Sequence, residues 1–130
     1  MGNANQLLYI KRHQEELTGP YLEVGSKDYG STQDLRRLFS YRDKYIGADI
    51  QAGPEVDIVL DFIQNFKNID VTLGGIRFGT IFFLCVSEHC EQPFKMAENL
   101  TALMTPKGKI SLNRPISTLQ TSTFWVQKYN

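Results

Sequence analysis

Tyr21-Leu22-Glu23-Val24-Gly25-Ser26-Lys27-Asp28-Tyr29-Gly30-Ser31 is the stretch on which the fold turns. Tyr21 to Val24 is a short apolar run that holds a single acid, and a loop punctuated by Gly25 and Gly30 follows it. Ser31-Thr32-Gln33-Asp34 then opens an amphipathic segment. Strand, glycine turn and helix start, in this order, is how α/β proteins aim backbone N–H groups and a helix N-terminus at a ligand. A nucleoside-cofactor cradle is therefore expected here, with the remaining chain built around it.

Three loop chemistries compete for this stretch. Gly25 and Gly30 have the separation of a phosphate-cradling loop, but Ser31 stands where the phosphate-neutralising lysine belongs. A dinucleotide fingerprint needs a second glycine for close backbone approach to a pyrophosphate, and Lys27 occupies that position. Glu23, inside the strand, would also repel a pyrophosphate. An acid near the strand end followed by glycine suits a cationic ligand without phosphate. S-adenosylmethionine, with its ammonium and sulfonium, fits that description.

The run Glu23-Val24-Gly25-Ser26-Lys27-Asp28-Tyr29-Gly30 resembles motif I of the class I S-adenosylmethionine-dependent methyltransferases, especially the small type 11 members. The blocks Tyr45–Phe62 and Phe78–Leu112 resemble that family in the same order, so the likeness runs from Tyr21 to Pro115. It implies a Rossmann-like, mostly parallel α/β sheet of order 3-2-1-4-5, with helices on both faces and a reduced or missing C-terminal strand pair. It also implies transfer of a methyl group to a small-molecule acceptor. The alternative is a non-catalytic cofactor-binding or interaction module on the same fold.

At 130 residues, 42% of them hydrophobic, the chain is expected to form one domain with a sizeable core. Lys+Arg and Asp+Glu both number 14, so no global basic field favours nucleic acid as partner. No apolar run is long enough to span a bilayer. Met1 to Asn5 carries no basic cluster and no apolar region follows, so no signal peptide is expected. Two cysteines, Cys85 and Cys90, are too few for a disulfide scaffold, which makes a reduced cytoplasmic setting the default.

Asn3 to Leu17 reads as a helix with Leu7, Ile10 and Leu17 near one face, stopped by Gly19-Pro20. His13 on this helix is expected to be a solvated surface residue. Thr32 to Phe39 reads as a crossover helix, and Tyr45 to Asp49 as the second strand. Asp49 lies about 26 residues after Glu23, near the spacing at which an acid meets ribose hydroxyls in nucleotide-binding βαβ units. Val56 to Phe62 reads as a third strand ending in Asp61-Phe62, with Asp57 a surface charge at its far end. Ligands lie outside the carboxyl ends of parallel strands, which selects Asp61 over Asp57.

Ile63 to Leu73 is expected to be helical or irregular, ended by Gly74-Gly75. Phe78 to Val86 is the most apolar stretch and the best candidate for the strand beside the first. Pro93 starts a helix with an expected apolar stripe of Phe94, Ala97, Leu100 and Leu103. Thr105 to Gly108 is expected to turn into a fifth strand, Lys109 to Asn113. The divergent tail, Arg114 to Asn130, is β-prone at Thr123 to Val126. An uncovered fifth strand would be an open edge, so either this tail or a partner chain, including a second copy, is expected to cover it. The shortened tail is consistent with a small member of the family or a fragment of a longer chain.

By resemblance, Glu23, Gly25, Ser26, Asp28, Cys85 and Val86 surround the methionine portion of the cofactor. Asp49 and Ile50 take the ribose side, and Asp61 and Phe62 the adenine. His89 is the candidate base and Glu88 its orienting partner, although Glu-His at this place in the family also caps the next helix. Cys85-x-x-Glu88-His89-Cys90 matches no tetrahedral zinc signature, and a soft thiol suits magnesium poorly, so no metal is expected. Two positions depart from the family: Gly79 replaces the usual aspartate, and Lys107 the usual glycine.

Overall fold

Tyr21–Val24 forms strand β1, and all four of its residues are buried. A strand buried on both faces reads as a near-continuous apolar run, and Glu23 is the one charge within it. β1 pairs in parallel with β2 (Tyr45–Asp49) on one side and β4 (Phe78–Phe83) on the other. The computed structural model describes residues 4–27, 35–83, 92–115 and 121–127. In it, one six-stranded sheet runs in the order β3-β2-β1-β4-β5-β6, with β3 at Ile58–Val59, β5 at Met104–Pro115 and β6 at Thr121–Gln127. The first five strands are parallel and β6 is antiparallel to β5. The expected order 3-2-1-4-5 is the observed one, and the tail covers the edge of β5.

Alternation along the strands divides the core into two layers. Leu22, Ile46 and Ile81 face helices α3 (Phe66–Thr72) and α4 (Pro93–Ala102), which contribute Ile69 and Leu100. Tyr21, Tyr45 and Phe82 face the other way, toward Ile10 of α1 (Ala4–Arg12) and Phe39 of α2 (Arg36–Phe39). That second layer is aromatic, with Phe39 4.9 Å from the Tyr21 ring centroid and 5.1 Å from that of Phe82.

The structure corrects several boundaries. α1 ends at Arg12, and a 3-10 turn, Gln14–Glu16, then brings Leu17 into extended backbone. His13 stays at the surface beside the Tyr9 ring, as expected. Helix α2 is Arg36–Phe39 with Leu35 as its N-cap, later than the expected start; 32–34 lie outside the described residues. The third strand shrinks from Val56–Phe62 to Ile58–Val59. Glu55 just before it has φ +67°, and Asp61 beyond it closes a local turn by accepting Ile63 N–H at 3.0 Å. Such Asx turns end ladders by offering the backbone another partner.

α4 is rotated from its expected face. Met96, Asn99, Leu100 and the following Leu103 are buried, while Ala97 is exposed and Phe94 is 90% exposed. Phe94 and Ala97 satisfy a helical spacing, but the stripe that meets the sheet lies one position earlier on the second turn. β5 starts earlier than expected: Thr105 to Gly108 is a bulge inside it, not a turn before it. The register with β4 jumps there from Phe78↔Met104 to Thr80↔Lys109, with Lys107 at φ +65°. A bulge absorbs extra residues by local backbone distortion while the ladder continues.

Gly79 has a packing reason that sequence alone hid. A Cβ there would lie 2.7 Å from the Gly19 carbonyl oxygen and 2.8 Å from Thr18 Oγ1. The Gly79 N–H also donates to Pro20 O at 3.0 Å. The chain leading into β1 presses on β4 at this point, so an aspartate would have to displace backbone.

The rotation of α4 gives a direct test in denaturant unfolding. Leu100→Ala is expected to lose about 2–5 kcal/mol, and Phe94→Ser to stay within about 0.5 kcal/mol of the parent. Comparable losses at both positions would restore the face expected from sequence.

Candidate functional site

Gly25 ends β1 with φ +83°, a left-handed conformation that costs a side-chain-bearing residue but not glycine. The turn folds toward β2: Gly25 N–H and Ser26 N–H both donate to Ala48 O, at 2.8 and 3.1 Å. One residue on, Lys27 N–H donates to Asp49 Oδ2 at 3.0 Å, and Gln51 N–H donates to Asp49 Oδ1 at 3.0 Å. Each oxygen of Asp49 is thus held by one backbone donor, which fixes the plane of the carboxylate at the carboxyl end of β2. A carboxylate has about four lone-pair sites, so this half-buried group retains capacity for further donors. Ile50 next to it is 69% exposed, an apolar side chain left uncovered at the rim.

The register sets three acids at successive heights. Glu23 lies level with Gly47, Asp49 two residues further along β2, and Asp61 two residues past Val59, which is level with Asp49. Burial falls in the same order: Glu23 is 3% exposed, Asp49 half-buried and Asp61 exposed. The expectation that Asp61 ends the third strand is therefore corrected. Glu23 is inside β1 and Asp61 is in the turn after β3. The acids form a stair from the sheet interior to its rim.

Glu23 does not sit bare in the core. Tyr45 Oη donates to Glu23 Oε1 at 2.6 Å. The Arg36 guanidinium carbon lies 5.1 Å from the Tyr45 ring centroid. Arg36 Nε donates to Glu55 Oε2 at 2.8 Å, and Arg36 Nη2 to Asp57 Oδ2 at 2.7 Å. Burial disfavours the Arg36 charge, but the hydrogen bonds it donates to Asp57 and Glu55 outweigh that and raise its pKa. Asp57 is more than the surface charge expected from sequence. Its Oδ2 also accepts Gly47 N–H at 2.8 Å, tying β2 to the chain before β3.

Phe62 is 2% exposed, with its ring in the core, so its side chain is not available to pack on a ligand. Its carbonyl accepts the Asn99 side-chain amide at 2.8 Å, and Gln64 O accepts the same nitrogen at 2.9 Å. Asn99 therefore pins the segment carrying Asp61 to α4. Sequence reasoning missed Asn99 and Arg36. Asn99 left one signal, a polar residue flanked by Met96, Leu100 and Leu103 at helical spacing.

Asp28, Cys85, Val86, Glu88 and His89 lie outside the described residues. Among the described residues no group of three or more His, Cys, Asp or Glu is placed to hold a metal ion. No described helix is long and apolar enough to cross a membrane.

No family model matches the sequence, and no curated protein matches it significantly. Solved structures do match in fold. The chain is similar to the N-methyltransferase NodS from Bradyrhizobium japonicum WM9, with TM-score 0.59 and 15% identity over 85% of this chain and 65% of that one. It is similar to the Burkholderia thailandensis 1,6-didemethyltoxoflavin-N1-methyltransferase, with TM-score 0.62 and 13% identity over 97% of this chain and 60% of that one. That structure holds 1,6-didemethyltoxoflavin and S-adenosylhomocysteine. It is also similar to the MycE methyltransferase of the mycinamycin pathway, in complex with Mg and SAH, with TM-score 0.55 and 17% identity over 82% of this chain and 30% of that one. The chain thus has the Rossmann-like fold of these methyltransferases, and it spans less than two thirds of each.

Ser26 and Gly47 show how closely the glycine turn is fitted to β2. A Cβ on Gly47 would meet the Glu55 carbonyl oxygen and lie 2.8 Å from Ser26 Oγ. That Ser26 hydroxyl is fully buried and has no hydrogen-bond partner among the described residues. Gly47→Ala is expected to cost about 1–3 kcal/mol by overpacking. Ser26→Ala should be neutral or stabilising, since it removes an unpaired buried hydroxyl. Thermal or denaturant melts compare them, and a destabilised Ser26→Ala would reveal a partner for the hydroxyl.

Proposed function

We propose that the chain binds S-adenosylmethionine along the acid stair and passes its methyl group to a small-molecule acceptor. The observation that carries this reading is Asp49, its carboxylate held by Lys27 and Gln51 N–H at the carboxyl end of β2, beside the Gly25 turn. Support for the ligand comes from the fold and from the S-adenosylhomocysteine found in two of the similar structures.

The residues present fit such a group. Asp49 keeps lone pairs for two ribose hydroxyls, each charge-assisted bond being worth roughly 1.5–3 kcal/mol. The exposed Ile50 offers an apolar surface to a base, and the exposed Asp61 carboxylate an acceptor for its amino group. Phe62 contributes through its main chain, because its ring is buried. Gly25 and Ser26, with Asp28, Cys85 and Val86, are assigned to the methionine portion, and Glu23 to its ammonium. When bound, the cofactor supplies an electrophilic methyl on a sulfonium, whose bond to carbon breaks as the acceptor's lone pair forms the new one. The chain's own work is to bind and align the two reactants, which is where most of the rate of such a displacement arises. An acceptor hydroxyl also needs its proton removed, a task assigned to His89 with Glu88 orienting it.

A cofactor-binding module without turnover is the second reading. It is supported by the low identity, 13–17%, to the similar methyltransferases, a likeness that carries the fold and not the activity. The two readings part on methyl transfer to a panel of acceptors. Both require that Asp49→Ala weaken S-adenosylhomocysteine binding at least tenfold in calorimetry. An unchanged affinity would remove the ribose assignment.

A further inference from the structure

We propose that β6 pairs antiparallel with the β6 of a second copy of this chain, joining two sheets edge to edge about a twofold axis. The inference stands apart from the cofactor reading, because β4 and β5 lie between β6 and β1.

Covering β5 with the tail moves the open edge outward by one strand. Each residue of β6 has a partner on β5, from Thr121 opposite Pro115 to Gln127 opposite Lys109. Every second residue of an edge strand turns its N–H and C=O away from the sheet. Among the described residues no strand pairs with that outer side of β6. Natural edge strands are blunted by shortness, by charge or proline, or by a bulge. β6 carries none of these devices. It runs for 7 residues, Thr121 to Gln127, without a charged residue, a proline or a glycine. Its register with β5 is unbroken.

The opposite edge is built the other way. β3 is only Ile58–Val59, with Asp57 before it, Asp61 shortly after it and Pro54 upstream. Asp57 and Asp61 accept the Gly47 and Ile63 amides, which ends regular pairing on both sides. One edge of the sheet is thus closed to a further strand and the other is open to it.

A second copy is the occupant that fits. An antiparallel strand is complementary to itself, so a twofold axis through Phe124 pairs the whole of β6 with its own image. Thr123 then stands opposite Trp125 of the second copy, and Ser122 opposite Val126. Aromatic and β-branched residues make the stabilising cross-strand pairs, and Thr123 to Val126 supplies them. Such a contact uses the same patch on both chains and closes at two, while the blunted β3 edge stops growth from the far side. With 14 basic and 14 acidic residues, two copies meet without net charge repulsion.

Sedimentation velocity and residue-resolved amide hydrogen exchange on the full chain test this together. The expected result is a species of twice 14.9 kDa, with every amide from Ser122 to Val126 protected and alternate ones released on dilution. A monomer at submillimolar concentration, protected only at alternate β6 residues, would overturn the proposal. So would a dimer that keeps the alternating pattern, since its contact lies elsewhere. A monomer protected along all of β6 would overturn it as well, because its own chain then covers the edge. Thr123→Lys sets a lysine of each copy on the diagonal across the twofold axis, and should raise the dimer dissociation constant at least about tenfold. An unchanged constant would remove this pairing. The exchange pattern of the parent needs no variant and decides the matter even where Thr123→Lys does not fold.

Discussion

A carboxylate buried in the central strand of a parallel sheet is the constraint around which this molecule is arranged. An isolated buried charge costs far more than any one residue's packing returns, so it must be hydrogen-bonded or paired. Glu23 meets that demand through Tyr45, and Tyr45 through Arg36. Arg36 in turn commits Glu55 and Asp57, and Asp57 holds the Gly47 amide. Satisfying one acid thus fixes the relative placement of β1, β2, the chain before β3 and the turn of helix α2.

The same arrangement gathers polar groups at the carboxyl ends of β1 and β2. The Gly25 turn and the Asp49 carboxylate are stitched together by Ala48 O and Lys27 N–H, which makes a rigid floor of backbone groups. Beyond it the polar groups become progressively wetter, from Asp49 to Asp61, and Ile50 stands uncovered beside them. Asn99 holds the outer step by anchoring Phe62 and Gln64 to α4.

Much of this was legible in the sequence, for identifiable reasons. β1 and β2 were bounded correctly because apolar runs stopped by Gly25 and closed by Asp49 leave little latitude, and the strand order is the one that the resemblance to the class I methyltransferases implied. Other features depend on contacts between distant residues and carry no local signal. The ion pairs of Arg36 join positions about 20 residues apart, and the clash that keeps Gly79 small comes from Thr18 and Gly19. The face of α4 was misassigned because two stripes at helical spacing overlap, and only packing chooses between them. The third strand was overextended because Asp57 and Asp61 spend their side chains on backbone amides, ending regular pairing at both sides of Ile58–Val59.

The central claim is that a nucleoside cofactor lies along the carboxyl ends of β1 and β2. Backbone amide shifts followed by NMR during titration with S-adenosylhomocysteine test it most directly. The account predicts the largest changes at Gly25, Ser26, Lys27, Ile50 and Gln51, with Val71 and Leu73 at the far end of α3 unmoved. Changes confined to α3 and α4, or no change at saturating ligand, would contradict it.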